Sequence, residues 1–334
     1  MLRYLQLPVY TAIACFALAA WWGSYTLFGP WQAVLIAAEL SVLEVSLSFD
    51  NAVVNAKVLG TMNRRWRRLF LTVGILIAVF GVRLLCPLII VAIATQTNID
   101  KVALMALHQP AKYSQILTQN YPVIAGFGGM FLLMVFFQFL CQTDRTVWWF
   151  AALERRFARL GQASAAPIIL SLCCLLAMHS YTPAPLQAQL LQAGVVGILA
   201  YLLVASMGEL MPKSDPVMMS DRRHRGCLAA FIYLEILDAS FSLDGTIGAF
   251  AMTRDVVIIL LGLTVGAVCV RSMTLYLVER RSLANFQYLE HGAHYAIGFL
   301  AIFMLVGIVH PLPELVTGCT GAVLIAASVW SSPR

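Results

Sequence analysis

The chain has 334 residues, of which 60% are hydrophobic and only 11% are charged. A soluble domain carries about a quarter charged residues, so this composition excludes an ordinary water-soluble globule. The net charge of +6 does not indicate nucleic-acid binding, because the basic residues lie in short runs between apolar segments. Those segments approach the ~20 residues that a transmembrane helix needs. The sequence therefore predicts an all-α, polytopic helical membrane protein in contact with the lipid bilayer.

Ten apolar segments are predicted as transmembrane helices. In chain order they cover about residues 9–29, 31–59, 69–95, 121–141, 165–180, 190–211, 227–252, 255–279, 293–310 and 314–331. The first resembles a signal peptide, but its apolar run continues to Phe28 and is longer than usual, so we expect a retained helix. The fifth is unusually short. All ten belong to one membrane domain, residues 1–334.

The basic residues predict the orientation of these helices. Sixteen of them fall on the side to which an even number of crossings returns: Arg3, Arg64, Arg65, Arg67, Arg68, Arg145, Arg155, Arg156, Arg159, Lys213, Arg222, Arg223, Arg225, Arg280, Arg281 and Arg334. The opposite side has Lys101, Lys112 and Arg254. Because basic loops stay in the cytoplasm, this asymmetry predicts ten spans with both termini cytoplasmic, in a bacterial inner membrane. Omitting the fifth span would scatter the basic loops over both sides.

An internal repeat is the strongest pattern in the sequence. Glu44–Asn51 aligns with Asp238–Gly245, and Arg83 aligns with Arg271. The copies begin five crossings apart, so they are predicted to run through the membrane in opposite directions. We assign repeat 1 to about residues 31–141 and repeat 2 to about residues 227–310. Inverted repeats are typical of secondary transporters, whose substrate sites lie near the midplane.

The repeat places carboxylates where charge is costly. Each intramembrane charge costs about 2.5–3.5 kcal/mol on insertion scales. The acids are Glu39, Glu44, Asp50, Glu235, Asp238 and Asp244. Two arginines cannot neutralise six acids, so the excess either attracts a divalent cation or is removed by protonation, which would suit proton exchange. Residues 44 and 50 would point about 120° apart on an ideal helix, so their convergence requires a helix interruption, which the polar residues of both copies favour.

These residues define a candidate cation site. The predicted metal ligands are Glu44, Asp50, Asn51, Asp238 and Asp244; the predicted supporting ligands or proton relay are Glu39, Ser48, Glu235 and Ser242; the predicted counter-charges are Arg83 and Arg271. Oxygen ligands suit Mn²⁺, Ca²⁺ or Mg²⁺, whereas Zn²⁺ and copper favour His and Cys. His291 and His294 are interpreted as interfacial residues without a role. The simplest structural alternative is that the acids only pair with the two arginines and fix helix packing.

The two acidic segments resemble the paired motifs of the TerC-like membrane proteins, over about residues 31–310. The residues that carry the resemblance are Glu44-Val45-Ser46-Leu47-Ser48-Phe49-Asp50-Asn51 and Asp238-Ala239-Ser240-Phe241-Ser242-Leu243-Asp244-Gly245. The resemblance implies an inverted-repeat fold related to the lysine-exporter superfamily and, for some members, Mn²⁺ export. Where TerC commonly has a serine, this chain has Gly245, which indicates a branch other than TerC itself. The Mn²⁺ preference of some family members is therefore not assigned to this chain from the resemblance alone.

We therefore expect a non-enzymatic exporter of divalent cations, with Mn²⁺ favoured and no tightly bound cofactor. One alternative is a non-transporting membrane factor for the assembly or metal loading of exported proteins. An intramembrane aspartyl protease using Asp50 and Asp244 fits less well, because it leaves the other acids and the repeat unexplained. An amino-acid carrier rests on fold analogy alone. The oligomeric state stays open, a homo-oligomer included.

Overall fold

The computed structural model describes residues 2–26, 29–209, 219–279, 286–310, 312 and 314–332. Regular structure in these ranges is helical, which confirms the all-α prediction. Some residues used above lie outside this part: Lys213, Arg280, Arg281 and Arg334, together with the side chains of Arg3, Asp50, Arg222, Arg223, Arg225 and Asp244. Two predicted metal ligands, Asp50 and Asp244, therefore have a described backbone but no described side chain.

The helices follow the predicted apolar segments. They are α1 Leu2–Gly23, α2 Gly29–Leu47, α3 Phe49–Thr61, α4 Arg64–Leu76, a π-helical segment Ile77–Leu85, α5 Cys86–Thr95, α6 Ile99–His108, α7 Pro110–Gln119, α8 Tyr121–Leu140, α9 Ala151–Leu160, α10 Ala166–Tyr181, α11 Ala184–Glu209, α12 Met219–Met252, α13 Val256–Glu279, α14 Leu289–Gly307 and α15 Glu314–Ser331. Each of the ten segments coincides with one helix or with consecutive helices. The short helices α6, α7 and α9 lie between those segments and were not predicted.

Several of these helices are long and apolar enough to cross a bilayer. In the described part of the chain they are Arg64–Thr95, Tyr121–Leu140, Ala184–Ser206, Val256–Glu279 and Leu289–Gly307, and the bent pair α2–α3 is a sixth candidate. Ala166–Tyr181 is apolar but shorter. The protein is therefore a multi-pass helical membrane protein. Ten crossings and cytoplasmic termini stay predictions.

The first acidic segment is broken, as its sequence predicted. α2 ends at Leu47, α3 begins at Phe49, and the two helices meet at an angle of 59°. Ser48 lies at the break, and its hydroxyl donates to Glu44 Oε1 at 3.2 Å instead of to a backbone carbonyl. A polar side chain that competes with the helical hydrogen-bond ladder favours such a break.

The second acidic segment is not broken, so the expectation of an interruption in both copies was wrong. α12 runs without a break through Asp238–Gly245. Its hydroxyls bond back to the preceding helical turn: Ser240 donates to Ile236 O at 2.9 Å, and Thr246 donates to Ser242 O at 2.7 Å. The hydroxyls of Ser240 and Thr246 are thus satisfied within an unbroken helix.

The helices pack around two large apolar regions that leave the acidic segments between them, and a smaller third region joins α3, α4 and α12. α8 packs against α11 and α14, and its buried side chains, including Phe131 and Leu132, form the centre of one region. α13 packs against α1 and α2, where Leu40 and Leu263 are fully buried. α12 contacts helices of both regions, so it brings the second acidic segment next to the first.

Candidate functional site

Arg83 and Glu44 form a buried ion pair within repeat 1. Arg83 donates from Nη2 to Glu44 Oε1, and the two side chains are only 2% and 3% exposed. Nη1 of Arg83 also donates to the Ala78 carbonyl at 3.1 Å. Arg83 lies in the π-helical segment, whose wider turn is a recurrent feature of functional positions in helices. The predicted counter-charge in repeat 1 therefore meets a predicted ligand.

Arg271, the residue of repeat 2 that aligns with Arg83, forms ion pairs with two acids. Its Nη2 lies 3.1 Å from Asp238 Oδ2 and 3.3 Å from Glu235 Oε2. Nη1 donates to the Phe70 carbonyl at 2.7 Å, and the guanidinium carbon lies 4.1 Å from the centre of the Phe70 ring. With both carboxylates ionised, Glu235, Asp238 and Arg271 together have an excess of one negative charge.

The two acidic segments meet directly. Asn51 donates from Nδ2 to Asp238 Oδ1 at 2.9 Å, and both side chains are buried. The repeat-related contact is also present, because a Cβ at Gly245 would lie 3.3 Å from Glu44 Oε2. Asn51 and Gly245 occupy the same position in the two copies, and each faces the first acid of the other copy. Reciprocal contacts of this kind are expected from a repeat related by an approximate two-fold axis.

A second pair of matched contacts follows the same pattern. Ser41 corresponds to Glu235 in the repeat, and Gly262 corresponds to Gly74. The Ser41 hydroxyl donates to the Gly262 carbonyl at 2.9 Å. At Gly74, a Cβ would clash with the Glu235 carboxylate and the Arg271 guanidinium. Each glycine allows close approach of the other copy, so the repeat extends beyond the residues aligned from sequence.

Not every predicted site residue belongs to this centre. Glu39 is exposed on α2, since it lies five residues before Glu44 and points about 140° away on the helix. Ser48 donates to Glu44, whereas the hydroxyl of its repeat mate Ser242 is buried without a hydrogen-bond partner in the described structure. The structure thus brings together Glu44, Ser48, Asn51, Arg83, Glu235, Asp238 and Arg271, and it leaves Glu39 outside.

The described side chains do not by themselves form a metal cage. No group of three or more His, Cys, Asp or Glu residues in that part of the chain is placed to hold a metal ion. Glu44 and Asp238 are instead held by guanidinium groups, at 2% and 6% exposure of the whole residue. The site is a buried set of carboxylate, hydroxyl and amide groups contributed by both copies. Its negative charge is partly neutralised by the two arginines.

A separate buried cluster lies around α9 and the start of α14, and sequence reasoning missed it. Glu154 is fully buried and accepts hydrogen bonds from the backbone N–H groups of Trp149 and Phe150 at 3.2 Å and from the Tyr295 hydroxyl at 3.1 Å. His291 Nε2 lies 3.6 Å from the Glu154 carboxylate. The only signal in the sequence was one acid beside a run of arginines.

The two histidines, interpreted from sequence as interfacial residues without a role, are both buried in this cluster, and their depth in the membrane stays a prediction. The His294 ring stacks on Phe139 with a centroid distance of 3.8 Å, and the Arg145 guanidinium carbon lies 3.3 Å from the centre of the same ring. Two groups this close must occupy opposite faces of the phenyl ring. Lys57 and Glu290 form a more exposed ion pair nearby on α3 and α14.

The fold and these contacts define a class: an integral membrane protein of many helices with an ion-paired polar centre built from two repeat-related segments. More specifically, the chain belongs to the family described as "Protein of unknown function (DUF475)", whose model matches residues 49–334. The match includes Asn51 and the whole second acidic segment but begins after Glu44. No curated protein and no solved structure matches the chain.

Proposed function

We propose that this protein transports a divalent cation through the centre between its two acidic segments, with Mn²⁺ as the favoured substrate and Ca²⁺ or Mg²⁺ as alternatives. The observation that carries the proposal is the hydrogen bond from Asn51 to Asp238, since it joins the two segments at buried positions. Transporters with inverted repeats bind their substrates at such a junction.

Charge supports a cation rather than an anion. Among the described buried side chains of the centre, three carboxylates face two guanidinium groups. The sequence adds Asp50 and Asp244 on the same two segments. With all five ionised, the excess would be about three negative charges, which a divalent ion would offset at least in part.

The chemistry of the side chains supports a hard cation. The candidate ligands are carboxylate, amide and hydroxyl oxygens, which suit Mn²⁺, Ca²⁺ and Mg²⁺ better than softer metals. The buried hydroxyl of Ser242 lacks a hydrogen-bond partner in the described structure, so an incoming ion would satisfy it. The resemblance of both motifs to the TerC-like proteins agrees with this substrate class.

The arginines then act as internal counter-ions. A cation that binds Glu44 or Asp238 competes with Arg83 or Arg271 for the same oxygens. Binding would therefore release a guanidinium, which needs a new partner because an unpaired buried charge costs several kcal/mol, about 3–5 in measured cases. Exchange of partners between the empty and loaded forms would couple ion binding to helix movement. Export across the bacterial inner membrane, with both termini cytoplasmic, belongs to the same proposal.

The test is a flux assay with purified protein in liposomes that contain a metal-sensitive dye, comparing Mn²⁺, Ca²⁺ and Mg²⁺. We expect the wild type to admit Mn²⁺ fastest, and Asp50→Asn and Asp244→Asn to fall to the level of empty liposomes. Glu39→Gln is the matched control, since it removes an exposed acid of the same span. Normal flux in both aspartate variants, or no flux of any of the three ions in folded wild type, contradicts the proposal.

A second candidate is the non-transporting assembly factor, and one observation favours it: Glu44, Glu235 and Asp238 are already ion-paired. In that case the acids fix helix packing and no ion crosses. Absence of flux in folded wild-type protein, together with stable co-purification of secretory machinery from membranes, would support this candidate over transport.

A further inference from the structure

The short helix α9 has a fixed orientation, because one face of it is held inside the protein. Glu154 on this face is fully buried with the partners described above, and Ala158 one turn later is buried too. Phe157 stacks on Phe137 with a centroid distance of 6.3 Å. The opposite face is therefore presented outward in a defined way.

The same contacts place α9 at the end of a membrane-crossing helix. Phe137 belongs to the last turn of α8, which ends at Leu140. One turn after Phe157, Gly161 approaches Cys141 so closely that a Cβ would clash with the Cys141 carbonyl. The C-terminal half of α9 thus lies against the terminus of α8, so α9 lies at the depth where hydrocarbon gives way to headgroups.

The outward face of α9 has two adjacent parts. At about 100° per residue, Arg155, Arg159 and Arg156 cover one arc, and Leu160 and Leu153 continue it without a gap. The two leucines are 53% and 44% exposed, and the arginines are exposed as well. A basic arc beside an apolar edge is the pattern of a helix that lies in the plane of a membrane interface.

The three arginines form no ion pair within the described residues. The one acid of α9, Glu154, is on the buried face. Guanidinium groups bind phosphate oxygens in a bidentate manner and so match phospholipid headgroups. Charge and position therefore indicate an acidic surface at this depth, and the acidic surface that a bilayer offers there is its anionic lipid.

We propose that α9 is an interfacial helix that binds anionic phospholipid headgroups through Arg155, Arg156 and Arg159, with Leu153 and Leu160 inserted beside them. This site is distinct from the acidic centre and independent of whether the protein transports ions. Lipid bound to α9 at the end of α8 would stabilise the cluster around Glu154 and the start of α14.

The experiment uses the full-length protein in a neutral detergent, with phosphatidylglycerol or phosphatidylcholine added and thermal unfolding recorded. We expect phosphatidylglycerol to raise Tm and phosphatidylcholine to leave it unchanged. The triple variant Arg155→Gln, Arg156→Gln, Arg159→Gln should lose most of that rise. The matched control is Arg64→Gln, Arg65→Gln, Arg68→Gln, which removes three exposed arginines from the first turns of α4 and should keep it.

Equal loss in both triple variants, or no loss in either, overturns the proposal. A rise of the same size with inorganic phosphate alone also overturns it, because the site would then be an ion site rather than a lipid site. If the α9 variant does not fold, the wild type decides: a photoreactive phosphatidylglycerol must label residues 150–160, and labelling confined to other helices overturns the proposal.

Discussion

Asn51 and Asp238 are 187 residues apart in the chain, yet the amide of one lies 2.9 Å from the carboxylate of the other. This contact joins α3 to α12 and thereby the two acidic segments. Asp238 is held from its other side by Arg271 at 3.1 Å, so its carboxylate has a neutral donor from one repeat and a charged donor from its own. The centre is thus defined by donors from both copies.

Asn51→Leu is expected to destabilise the protein, because it leaves the Asp238 oxygen without its amide donor. A buried acceptor that loses its partner costs about 1–3 kcal/mol. The free energy of unfolding in detergent, followed by tryptophan fluorescence, measures the change. Asn55→Leu, one turn later on α3, is the control: Asn55 is equally buried, but only Asn51 is seen to donate to a buried carboxylate, so the loss should be smaller. Equal losses would contradict the assigned contact.

Arg83→Gln is expected to be more costly, since it leaves Glu44 buried without its counter-charge. Breaking a buried ion pair in this way costs about 3–5 kcal/mol. The double variant Arg83→Gln with Glu44→Gln should recover much of the loss, so a double-mutant cycle reports a strong coupling free energy. Lys57→Gln breaks the exposed pair with Glu290 and should cost less than about 1 kcal/mol. A coupling near zero would show that the buried pair does not form.

Gly74→Ala is expected to destabilise by about 1–3 kcal/mol, because the new methyl group overpacks the space occupied by the Arg271 guanidinium and the Glu235 carboxylate. Gly60→Ala in α3 is the control. Nothing lies within 4 Å of a Cβ at Gly60, so alanine should be neutral or stabilise by up to about 1 kcal/mol. Thermal unfolding of both variants compares them directly, and a tolerated Gly74→Ala would contradict the close approach of the two copies.

The predicted orientation is tested by reporter fusions at positions that the helix assignments separate. Fusions after Gln109 and Pro183 should place a reporter outside the cytoplasm, and a fusion after Gln162 should keep it inside. Gln162 and Pro183 flank α10, the short fifth segment. The same location for both would remove α10 from the membrane-crossing helices and reduce the predicted count of ten.

Much of the centre could be predicted because its parts are local. Charges inside apolar segments are rare, so Arg83 and Arg271 were natural partners for the acids, and the structure pairs each with acids of its own copy. The break at Ser48 followed from a polar residue competing with the helical ladder. α12 has the same residue types but stays continuous, and hydroxyl back-bonding does not account for the difference, because Ser46 in α2 bonds to the preceding turn just as Ser240 does in α12. Residue type alone does not distinguish these two outcomes.

Other features depend on contacts between distant parts of the chain. Glu39 has the same chemistry as Glu44, and only its position on α2 leaves it exposed. His291 is buried beside Glu154, which lies in a different helix and looks like part of a solvated basic segment in the sequence. The helices α6, α7 and α9 are too short or too polar for a search based on apolar spans. The exposure of Glu39, the burial of His291 and the formation of these short helices depend on tertiary packing, which the hydrophobic pattern of the sequence does not predict.

The π-helical segment Ile77–Leu85 has a consequence for how this protein can vary in length. Each residue added to or removed from an α-helix turns everything that follows by about 100°. Deleting one residue from α4 would therefore rotate the Arg83 guanidinium away from Glu44 while leaving the composition almost unchanged. Substitutions that keep the chain length intact should be tolerated here far better than single-residue gaps. The spacing of residues between α4 and Arg83 is thus itself a constraint on sequence change.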